Sequence, residues 1–348
     1  MKKVSRKEFL ALAGVAGMSL VLAGCGESTS TTTTETKTEE KSDSTEESKS
    51  SGETIADLRF VTGGESGTYY AFGSVIAQHA TNNTDVKVTA LVGNGSQANV
   101  VAIEDGDAEL AFCQSDVMAY AYAGTNLFDG APVDCFSTMA ALYQETVQIV
   151  TCDPDIKTVA DLKGKNVSIG SAGSGVYFNA IDVLGVYGLT EDDITPTYQS
   201  FGDSADALKD GKIDAAFIVA GAPTTAITDL STSKTAYLVS LDDEHVEELL
   251  KTSEYYQAAT IEAGTYTGVD EDVTTVAVSA VIIVADSVSE DAVYTLCADI
   301  FDNAADLVDS HAKYAELSVE NGASITSVPY HPGAAKYFEE KGFKVSTK

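Results

Sequence analysis

Two glycine-rich loops of the same construction constrain the fold of this chain more than any other feature. The first, VTGGESGTYY, spans residues 61–70, and the second, VSIGSAGSGVY, spans residues 167–177. Each follows a short apolar run and leads into an apolar-periodic segment, which is the pattern of a strand, a tight turn and a helix start. Glycines allow sharp turns and close ligand approach, while the first helical N–H groups point outward at the positive end of the dipole. Two such loops in separate halves predict a small carboxylate or phosphate held in a cleft.

The order of apolar and turn segments predicts an α/β fold. Strand-like and helix-like stretches alternate over residues 58–123 and again over residues 167–219. Repeated βαβ units of this kind imply a mostly parallel sheet with helices on both faces. Two longer apolar runs, Met139–Thr151 and Val273–Ala285, read as strands, and a long amphipathic helix is predicted over Glu290–Ser310.

The two long apolar runs also predict the domain organisation. In two-lobed binding folds the chain leaves the first lobe, builds the second and returns, so these runs predict a hinge of two strands. Lobe one is then formed by residues 54–145 with 272–348, and lobe two by residues 146–271. A body of this length is sufficient for two ordinary domains with cores of their own.

The N-terminus reads as a targeting segment and a tether. A basic start and the apolar stretch Phe9–Ala23, followed by Gly24 and Cys25, predict a lipoprotein signal peptide over residues 1–24, cut before a lipidated Cys25. The polar segment that follows contains no aromatic or large aliphatic residue, so residues 25–53 are predicted to be a disordered linker. We therefore expect an extracytoplasmic protein anchored to the cell membrane by lipid.

The charge of the chain excludes some partners. Lys and Arg number 21 against 53 Asp and Glu, a formal net charge of −32. This charge repels nucleic acid and anionic lipid headgroups, so neither is an expected partner. Salt screens the long-range repulsion of an anionic ligand beyond about 8–10 Å. A local anion site must therefore depend on close backbone dipoles.

Basic side chains are scarce near the loops. Arg59 is the only arginine after residue 24 and falls in the first predicted strand. A bidentate guanidinium clamp on a ligand acid is therefore excluded unless Arg59 supplies it. Lys163 and Lys165, which precede the second loop, are expected to be solvated.

Candidate ligand-binding residues follow the predicted strands. Ligands of open α/β sheets bind beyond the carboxyl ends of the strands, where helix N-termini converge. These positions and one residue of the first long strand give the candidates Ser66, Gly67, Thr68, Tyr69, Gly95, Ser96, Gln114, Ser115, Asp116, Tyr143, Ser171, Gly173, Ser174, Gly175, Gly221, Ala222 and Pro223. Pro223 suits the first position of a helix, and Ala222 has no side-chain acceptor, so a ligand oxygen could take the open N–H groups. The alternative is a plain helix start with water at its end.

Two acids and several aromatic residues could complete the site. Glu65 and Asp116 lie beside the loops and could receive the ammonium group of an amino acid, or could only cap helices and face solvent. Small-molecule sites combine apolar walls with few polar groups. The five aromatic candidates are Tyr69, Tyr70, Tyr143, Tyr177 and Phe201. Aromatic residues at helical spacing more often belong to the core, so we expect two of these five to contact the ligand.

Metal, cofactor and enzyme signatures are weak in this sequence. Cys113, Cys135, Cys152 and Cys297 have no zinc-binding spacing; we expect buried free thiols, with a disulfide as the alternative in an exported protein. There is no Gly-x-Ser-x-Gly elbow, neither loop carries a P-loop lysine, and the GNGSQA stretch is only a weak dinucleotide fingerprint. No catalytic base is evident, and we predict neither a metal nor a cofactor.

Short motifs in order along the body carry a family resemblance. They are GG at 63–64 with GTYY at 67–70, ELAF at 109–112 with QSD at 114–116, DLKGK at 161–165, the loop at 170–175, DALKDGKIDA at 206–215, VAGAP at 219–223, AGTY at 263–266 and HPGA at 331–334. Together they resemble the TAXI-type solute receptors of tripartite ATP-independent periplasmic (TRAP) transporters.

The resemblance implies both a fold and a function. It implies a type II periplasmic-binding-protein-like fold that closes on a small solute such as glutamate, glutamine or 2-oxoglutarate. The receptor would deliver that solute to a membrane permease pair driven by an ion gradient. Glu65 departs from the small residue or Thr of many relatives, which implies an amphoteric ligand.

Two other functions remain open. One is a ligand-sensing lipoprotein that serves a signalling kinase. The other is an exported dehydratase of small acids on the same fold, which would need a general acid or base in the cleft. We favour the receptor, which is not an enzyme.

Overall fold

The computed structural model describes residues 56–348, which form a mixed ten-stranded sheet with helices against it. The predicted signal peptide over residues 1–24, the lipidated Cys25 and the linker over residues 25–53 lie outside the described residues. Between residues 56 and 348, no helix combines the length and the apolar character needed to cross a membrane.

The strands of the described part have the following bounds: β1 (Ala56–Val61), β2 (Val86–Leu91), β3 (Leu110–Gln114), β4 (Phe136–Thr151), β5 (Asn166–Ser168), β6 (Thr195–Thr197), β7 (Ala215–Ala220), β8 (Tyr237–Leu238), β9 (Gln257–Ile261) and β10 (Val273–Ala285). They are joined in the order β2-β1-β3-β10-β4-β7-β5-β6, with β8 beside β4 and β9 beside β10.

The α-helices of the described part are α1 (Thr68–Asn83), α2 (Ser96–Glu104), α3 (Ser115–Ala123), α4 (Val176–Val186), α5 (Phe201–Lys209), α6 (Thr225–Ser233), α7 (Asp243–Thr252), α8 (Glu290–Asp302), α9 (Val319–Gly322) and α10 (Pro332–Glu340). Short 3₁₀ helices lie at residues 126–128, 159–162, 191–193, 304–306 and 312–316. The strand–loop–helix order predicted around both glycine loops is present, because β1 leads to α1 and β5 leads to α4.

The two longest strands, β4 and β10, run antiparallel to each other through the middle of the sheet. Residues 280–284 of β10 pair with β3, and residues 273–277 pair with β9. The register of β10 against β4 shifts between Ser279 and Val281, close to the point where these neighbours change. The molecule is therefore an α/β fold of two βαβ lobes joined by two crossing strands. The lobe boundaries at residues 145/146 and 271/272 stay a prediction.

Each lobe buries both faces of its part of the sheet. In lobe one, Phe60 and its chain neighbour Val61 belong to separate clusters of buried apolar side chains. In lobe two, Phe217 and Ile218 are divided in the same way. Successive side chains of a strand point to opposite faces, so both faces are covered, which explains why these strands read as continuous apolar runs.

The prediction of a mostly parallel sheet is wrong for the middle of the molecule. The outer strands β1, β2 and β3, and likewise β5, β6 and β7, pair in parallel. Both crossing strands, however, are antiparallel to their neighbours. The chain passes into lobe two along β4 and returns along β10 in the opposite direction, so one sheet must hold both pairing types.

The long helix predicted over Glu290–Ser310 ends earlier, at Asp302. The side-chain amide of Asn303 donates to the carbonyl of Asp299 at 2.9 Å. Asn side chains compete with the backbone for hydrogen bonds in this way, which favours the end of a helix. A short 3₁₀ helix at residues 304–306 follows.

The four cysteines of the described part are free thiols, as predicted, but not all of them are buried. Cys113 and Cys297 are buried, Cys152 is partly buried and Cys135 is exposed. The disulfide alternative is not realised among these four residues. The prediction of buried thiols is wrong for Cys135, which precedes the crossing strand β4.

Candidate functional site

Three helices begin at a glycine N-cap that provides no side-chain acceptor. Gly67 precedes α1, Gly95 precedes α2 and Gly175 precedes α4, and none of these helices has a side-chain cap hydrogen bond. Ser, Thr, Asp or Asn normally accepts a bond from the first-turn N–H groups at this position. These first turns therefore keep donors available for another acceptor.

The three glycine N-caps line one cavity with a volume of about 320 Å³. Its wall includes residues 63–69 and 92–96 of lobe one and residues 174–176 and 200–202 of lobe two. No lysine, arginine or histidine lies on the wall within the described part of the chain. Convergent helix N-termini stabilise negative charge, so the cavity offers an anion site made of backbone dipoles.

The two lobes are closed on this cavity. The amide N of Ala98 on α2 donates to the carbonyl of Gly173 in the second glycine loop at 2.9 Å. Near the other end of the cleft, Thr68 Oγ1 donates to the carbonyl of Gly221 at 2.8 Å. Both bonds join residues of different lobes, so the lobes are in direct contact.

A buried polar network lies between the lobes. Asn179 Nδ2 on α4 donates to Asp116 Oδ2 on α3 at 3.0 Å and contacts the hydroxyl of Tyr256 at 2.9 Å. Asp116 is fully buried, and its Oδ1 has no hydrogen-bond partner among the described residues. Burial raises the pKa of Asp116 to about 7, although the bond from Asn179 lowers it. Asp116 therefore contributes to lobe contact rather than to the cavity wall.

Glu145 is a cavity residue that the sequence analysis missed. It lies on the crossing strand β4, is 2 % exposed and forms part of the wall. Burial raises the pKa of its carboxyl to about 8, although neighbouring Tyr143 and Lys313 lower it. Its Oε1 has no hydrogen-bond partner among the described residues, and neither has the hydroxyl of Tyr69 or of Tyr143. The available signal was one acid inside a predominantly apolar run, because buried acids are rare without a partner.

Lys313 is a second residue that sequence reasoning missed. It lies in the short 3₁₀ helix at residues 312–316 and is buried. Its Nζ donates to the carbonyl of Ala222 at 2.8 Å, contacts the carboxylate of Glu316 and lies 5.4 Å from the ring centroid of Tyr143. Lys313 thus connects the C-terminal region to lobe two directly behind the cavity.

The structure divides the predicted ligand-binding residues into two groups. Those on the cavity wall are Ser66, Gly67, Thr68, Tyr69, Gly95, Ser96, Gln114, Ser171, Ser174 and Gly175. Those behind the wall are Ser115, Asp116, Tyr143, Gly173, Gly221, Ala222 and Pro223. Asp116 of the second group packs the lobes together by accepting from Asn179 Nδ2 at 3.0 Å, whereas Ser115 Oγ accepts from the amide N of Ser279 at 3.1 Å within lobe one.

The predicted helix start at Pro223 is wrong. Helix α6 begins at Thr225 with Thr224 as its N-cap, and Pro223 follows a cis peptide bond outside the helix. The amide N of Thr224 donates to the hydroxyl of Tyr266 at 2.8 Å, and the amide N of Ala226 donates to the carbonyl of Ser66 at 3.2 Å. These N–H groups thus already have acceptors within the protein.

The other polar candidates lie away from the cavity or at its edge. Arg59 is exposed and binds Glu109 at 2.5 Å and the carbonyl of Gly106 at 2.7 Å, so it supplies no clamp. Lys163 forms a surface ion pair with Asp193 at 3.0 Å. Glu65 belongs to the wall but is exposed to solvent.

Two of the five aromatic candidates, Tyr69 and Phe201, lie on the cavity wall. The ring of Tyr69 stacks on Phe112 at 4.5 Å between centroids, which fixes its hydroxyl at the base of the cavity. Among residues 56–348, no group of His, Cys, Asp and Glu side chains is arranged to hold a metal ion.

Comparison with known proteins yields one family and several distant structural likenesses. The sequence profile of the NMT1-like family matches residues 60–342. The alkanesulfonate-binding protein SsuA from Xanthomonas axonopodis pv. citri, bound to MOPS, is 18 % identical with a TM-score of 0.49, covering 83 % of this chain and 85 % of that chain. The GluR0 ligand-binding core in complex with L-glutamate is 9 % identical with a TM-score of 0.46, covering 77 % of this chain and 100 % of that chain.

An ancestral arginine-binding protein bound to arginine is 13 % identical with a TM-score of 0.44, covering 75 % of this chain and 95 % of that chain. The ligands of these three proteins are chemically diverse. At such identities and TM-scores, none of the likenesses bears on the ligand of this chain.

Proposed function

Because the chain belongs to the NMT1-like family, we propose that it is an extracytoplasmic solute receptor and not an enzyme. Its solute is a small organic acid or amino acid of the glutamate, glutamine or 2-oxoglutarate kind. The receptor is of the TAXI type, is held at the cell membrane by lipid on Cys25, and delivers its solute to a TRAP permease pair.

One observation carries this proposal: a cavity between two lobes, with three helix N-termini on its wall that have no side-chain cap. A volume of about 320 Å³ lies at the lower end of the range for small-molecule sites, and both lobes contribute to the wall. A carboxylate placed at Gly67, Gly95 and Gly175 would accept hydrogen bonds from first-turn N–H groups of both lobes. Such a ligand favours the closed arrangement, because only closure brings these donors together.

The enzyme alternative has one observation in its favour, the buried acid Glu145 with a pKa raised to about 8. Perturbed acids in clefts are also found in active sites. General acid–base catalysis on a small acid needs a partner group, and the other ionisable side chains on the wall are Glu65, which is exposed, and Tyr69. The receptor therefore accounts for the site with fewer assumptions.

A thermal-shift screen tests the proposed function. Purified protein is heated with amino acids, keto acids or dicarboxylates, each supplied in large excess. A solute present at about 100 times its Kd adds about 2.7 kcal/mol to the free energy of unfolding, which gives a clear rise in Tm. Consumption of any stabilising solute, followed over hours by chromatography, would support an enzyme instead. If no small acid or amino acid raises the Tm, the proposed solute class is wrong.

The energy source of solute uptake tests whether the partner is a TRAP permease. A TRAP permease uses an ion gradient, so uptake of the solute by cells should stop when the gradient is dissipated while ATP is maintained. Deletion of the receptor should abolish the same uptake. Uptake that persists without the gradient and stops when ATP is depleted would exclude the TRAP partner but leave the receptor role intact.

A further inference from the structure

The described wall of the cavity includes one buried carboxyl, that of Glu145, which the predicted anion site does not use. Of the two acids on the wall, Glu65 is exposed to solvent, whereas Glu145 is 2 % exposed. Glu145 Oε1 has no hydrogen-bond partner among the described residues. A buried polar atom without a partner is costly to the folded state, so the group needs a partner that the protein alone does not supply.

The surroundings of Glu145 show that the protein supports this carboxyl only from behind. Tyr143, the ammonium of Lys313 and the backbone N–H of Gly221 favour its charged form, in that order of effect, and Glu316 opposes it. Lys313 itself is held by the carbonyl of Ala222 and by the carboxylate of Glu316. Lys313 and Glu316 both lie off the cavity wall. The side of the carboxyl that faces the cavity is left for a donor on the solute.

The rest of the wall offers the opposite chemistry. The glycine N-caps Gly67, Gly95 and Gly175 present backbone donors with partial positive charge, which suit a carboxylate. One cavity thus combines a site for an anion with a buried acceptor for a cation. A solute that carries a carboxylate and an ammonium group satisfies both, whereas a keto acid satisfies only the first.

We propose that Glu145 accepts the ammonium group of an amino acid solute and so makes the receptor select amino acids over the corresponding keto acids. This inference rests on the proposed function as a solute receptor. It assigns the ammonium to Glu145 and not to Glu65 or Asp116, because Glu65 is solvated and Asp116 lies behind the wall.

Capture of an amino acid should release a proton. In the empty cavity burial raises the pKa of Glu145 to about 8, so the carboxyl is mostly neutral at pH 7. The groups around it are the hydroxyls of Tyr69 and Tyr143, the ammonium of Lys313 and the carboxylate of Glu316. When the ammonium of the solute pairs with Glu145, the carboxyl ionises and its proton passes to the solvent. A keto acid offers no cation, so it leaves Glu145 neutral and releases no proton.

Isothermal titration calorimetry of the purified protein at pH 7 tests the inference with the matched solutes L-glutamate and 2-oxoglutarate. Repeating the glutamate titration in buffers of different ionisation enthalpy measures the protons released. We expect glutamate to bind more tightly than 2-oxoglutarate and to release most of one proton. Tighter binding of 2-oxoglutarate, or glutamate binding without proton release, overturns the inference and leaves the receptor role standing.

Variants locate the ammonium site. Glu145→Gln should weaken glutamate binding about 10- to 100-fold, the range for a hydrogen bond to a charged group, abolish the proton release and spare 2-oxoglutarate binding. Asp299→Asn removes a different buried acid, which pairs with His79 at 3.0 Å away from the cavity, and should leave both affinities unchanged. A loss of glutamate affinity in Glu65→Gln but not in Glu145→Gln would overturn the assignment. If the wild-type protein binds no amino acid, keto acid or dicarboxylate, both this inference and the proposed function fail.

Discussion

The side-chain amide of Gln114 donates to Oδ1 of Asn179 at 2.6 Å, and this buried bond joins the end of β3 in lobe one to α4 in lobe two. Ser96 Oγ also lies 3.3 Å from Gln114 Oε1 and accepts from the amide N of Gln114 at 3.0 Å. The Gln114 side chain therefore has one orientation in the closed protein. A Cβ added to Gly175 would lie 1.6 Å from Gln114 Oε1, so closure requires glycine at that position.

Gly175→Ala should impair closure. The new methyl group would displace the buried amide of Gln114 and break its bond to Asn179. We expect the affinity for the solute to fall at least about tenfold, the effect of losing about 1.4 kcal/mol, with little change in the Tm of the empty protein. Titration calorimetry and small-angle scattering measure the affinity and the closure.

Gly185→Ala is the matched control within the same helix. A Cβ at Gly185 would meet nothing within 4 Å, and alanine favours a helix over glycine by about 0.8–1.0 kcal/mol. We expect unchanged affinity and an equal or higher Tm. Equal affinities for the two variants would contradict the role given to Gly175.

Asp116→Asn should change how stability depends on pH. Burial raises the pKa of the folded Asp116 carboxyl to about 7 from 3.8, so the folded state holds its proton more tightly than the unfolded state does. The protonated Asp116 carboxyl makes its full contribution to the free energy of unfolding below about pH 4, and this contribution is lost as the pH rises towards 7. The asparagine variant lacks this loss, and Asn179 can still donate to it. We expect the Tm of the variant minus that of the wild type to increase from pH 5 to pH 8.

Scanning calorimetry at several pH values measures that difference for Asp116. Asp161→Asn provides the comparison, because hydrogen bonds from the backbone N–H groups of Lys157 and Thr158 lower the pKa of Asp161. The wild-type protein should gain stability relative to Asp161→Asn as the pH rises through the acidic range. A Tm difference for Asp116→Asn that stays constant from pH 5 to pH 8 would exclude a buried acid that titrates in this range.

Tyr69→Phe should weaken solute binding without weakening the fold. The Tyr69 hydroxyl is buried at the cavity and has no hydrogen-bond partner among the described residues, so its removal leaves no protein atom unpaired. We expect the Tm of the empty protein to stay equal or rise, and solute affinity to fall several-fold.

Tyr330→Phe is the contrasting variant for this prediction. The Tyr330 hydroxyl donates to the carbonyl of Gly322 and accepts from the amide N of Ile325, both at 2.9 Å. Its loss leaves these backbone groups unpaired and should cost about 1–3 kcal/mol of the free energy of unfolding. Chemical denaturation distinguishes the two variants. Comparable losses would mean that Tyr69 has a structural partner.

Cys25→Ala should separate anchoring from binding. Removal of the predicted lipidation site is expected to move the protein from the membrane fraction into the soluble fraction, with unchanged solute affinity. Cell fractionation and calorimetry measure these two properties. Retention in the membrane fraction would argue against the predicted lipid anchor.

Much of the site could be predicted because its construction is local. A strand, a glycine turn and a helix start are encoded within a few residues, so both loops, with Gly67 and Gly175, could be located from sequence. The long strands β4 and β10 could be recognised because a strand buried on both faces is continuously apolar. The premature end of α8 at Asp302 was missed, because it depends on one side-chain bond from Asn303.

The sequence by itself determined the local elements, the two crossing strands and the glycine-capped helix starts that line the cavity. Only the tertiary structure decided that Glu145 faces the cavity while Asp116 lies behind it. The physical reason is that both acids have a polar residue beside them in sequence, and their roles depend on burial and on neighbours contributed by distant segments. Lys313, which approaches Glu145 and the Ala222 carbonyl from the C-terminal region, illustrates the same dependence on chain folding.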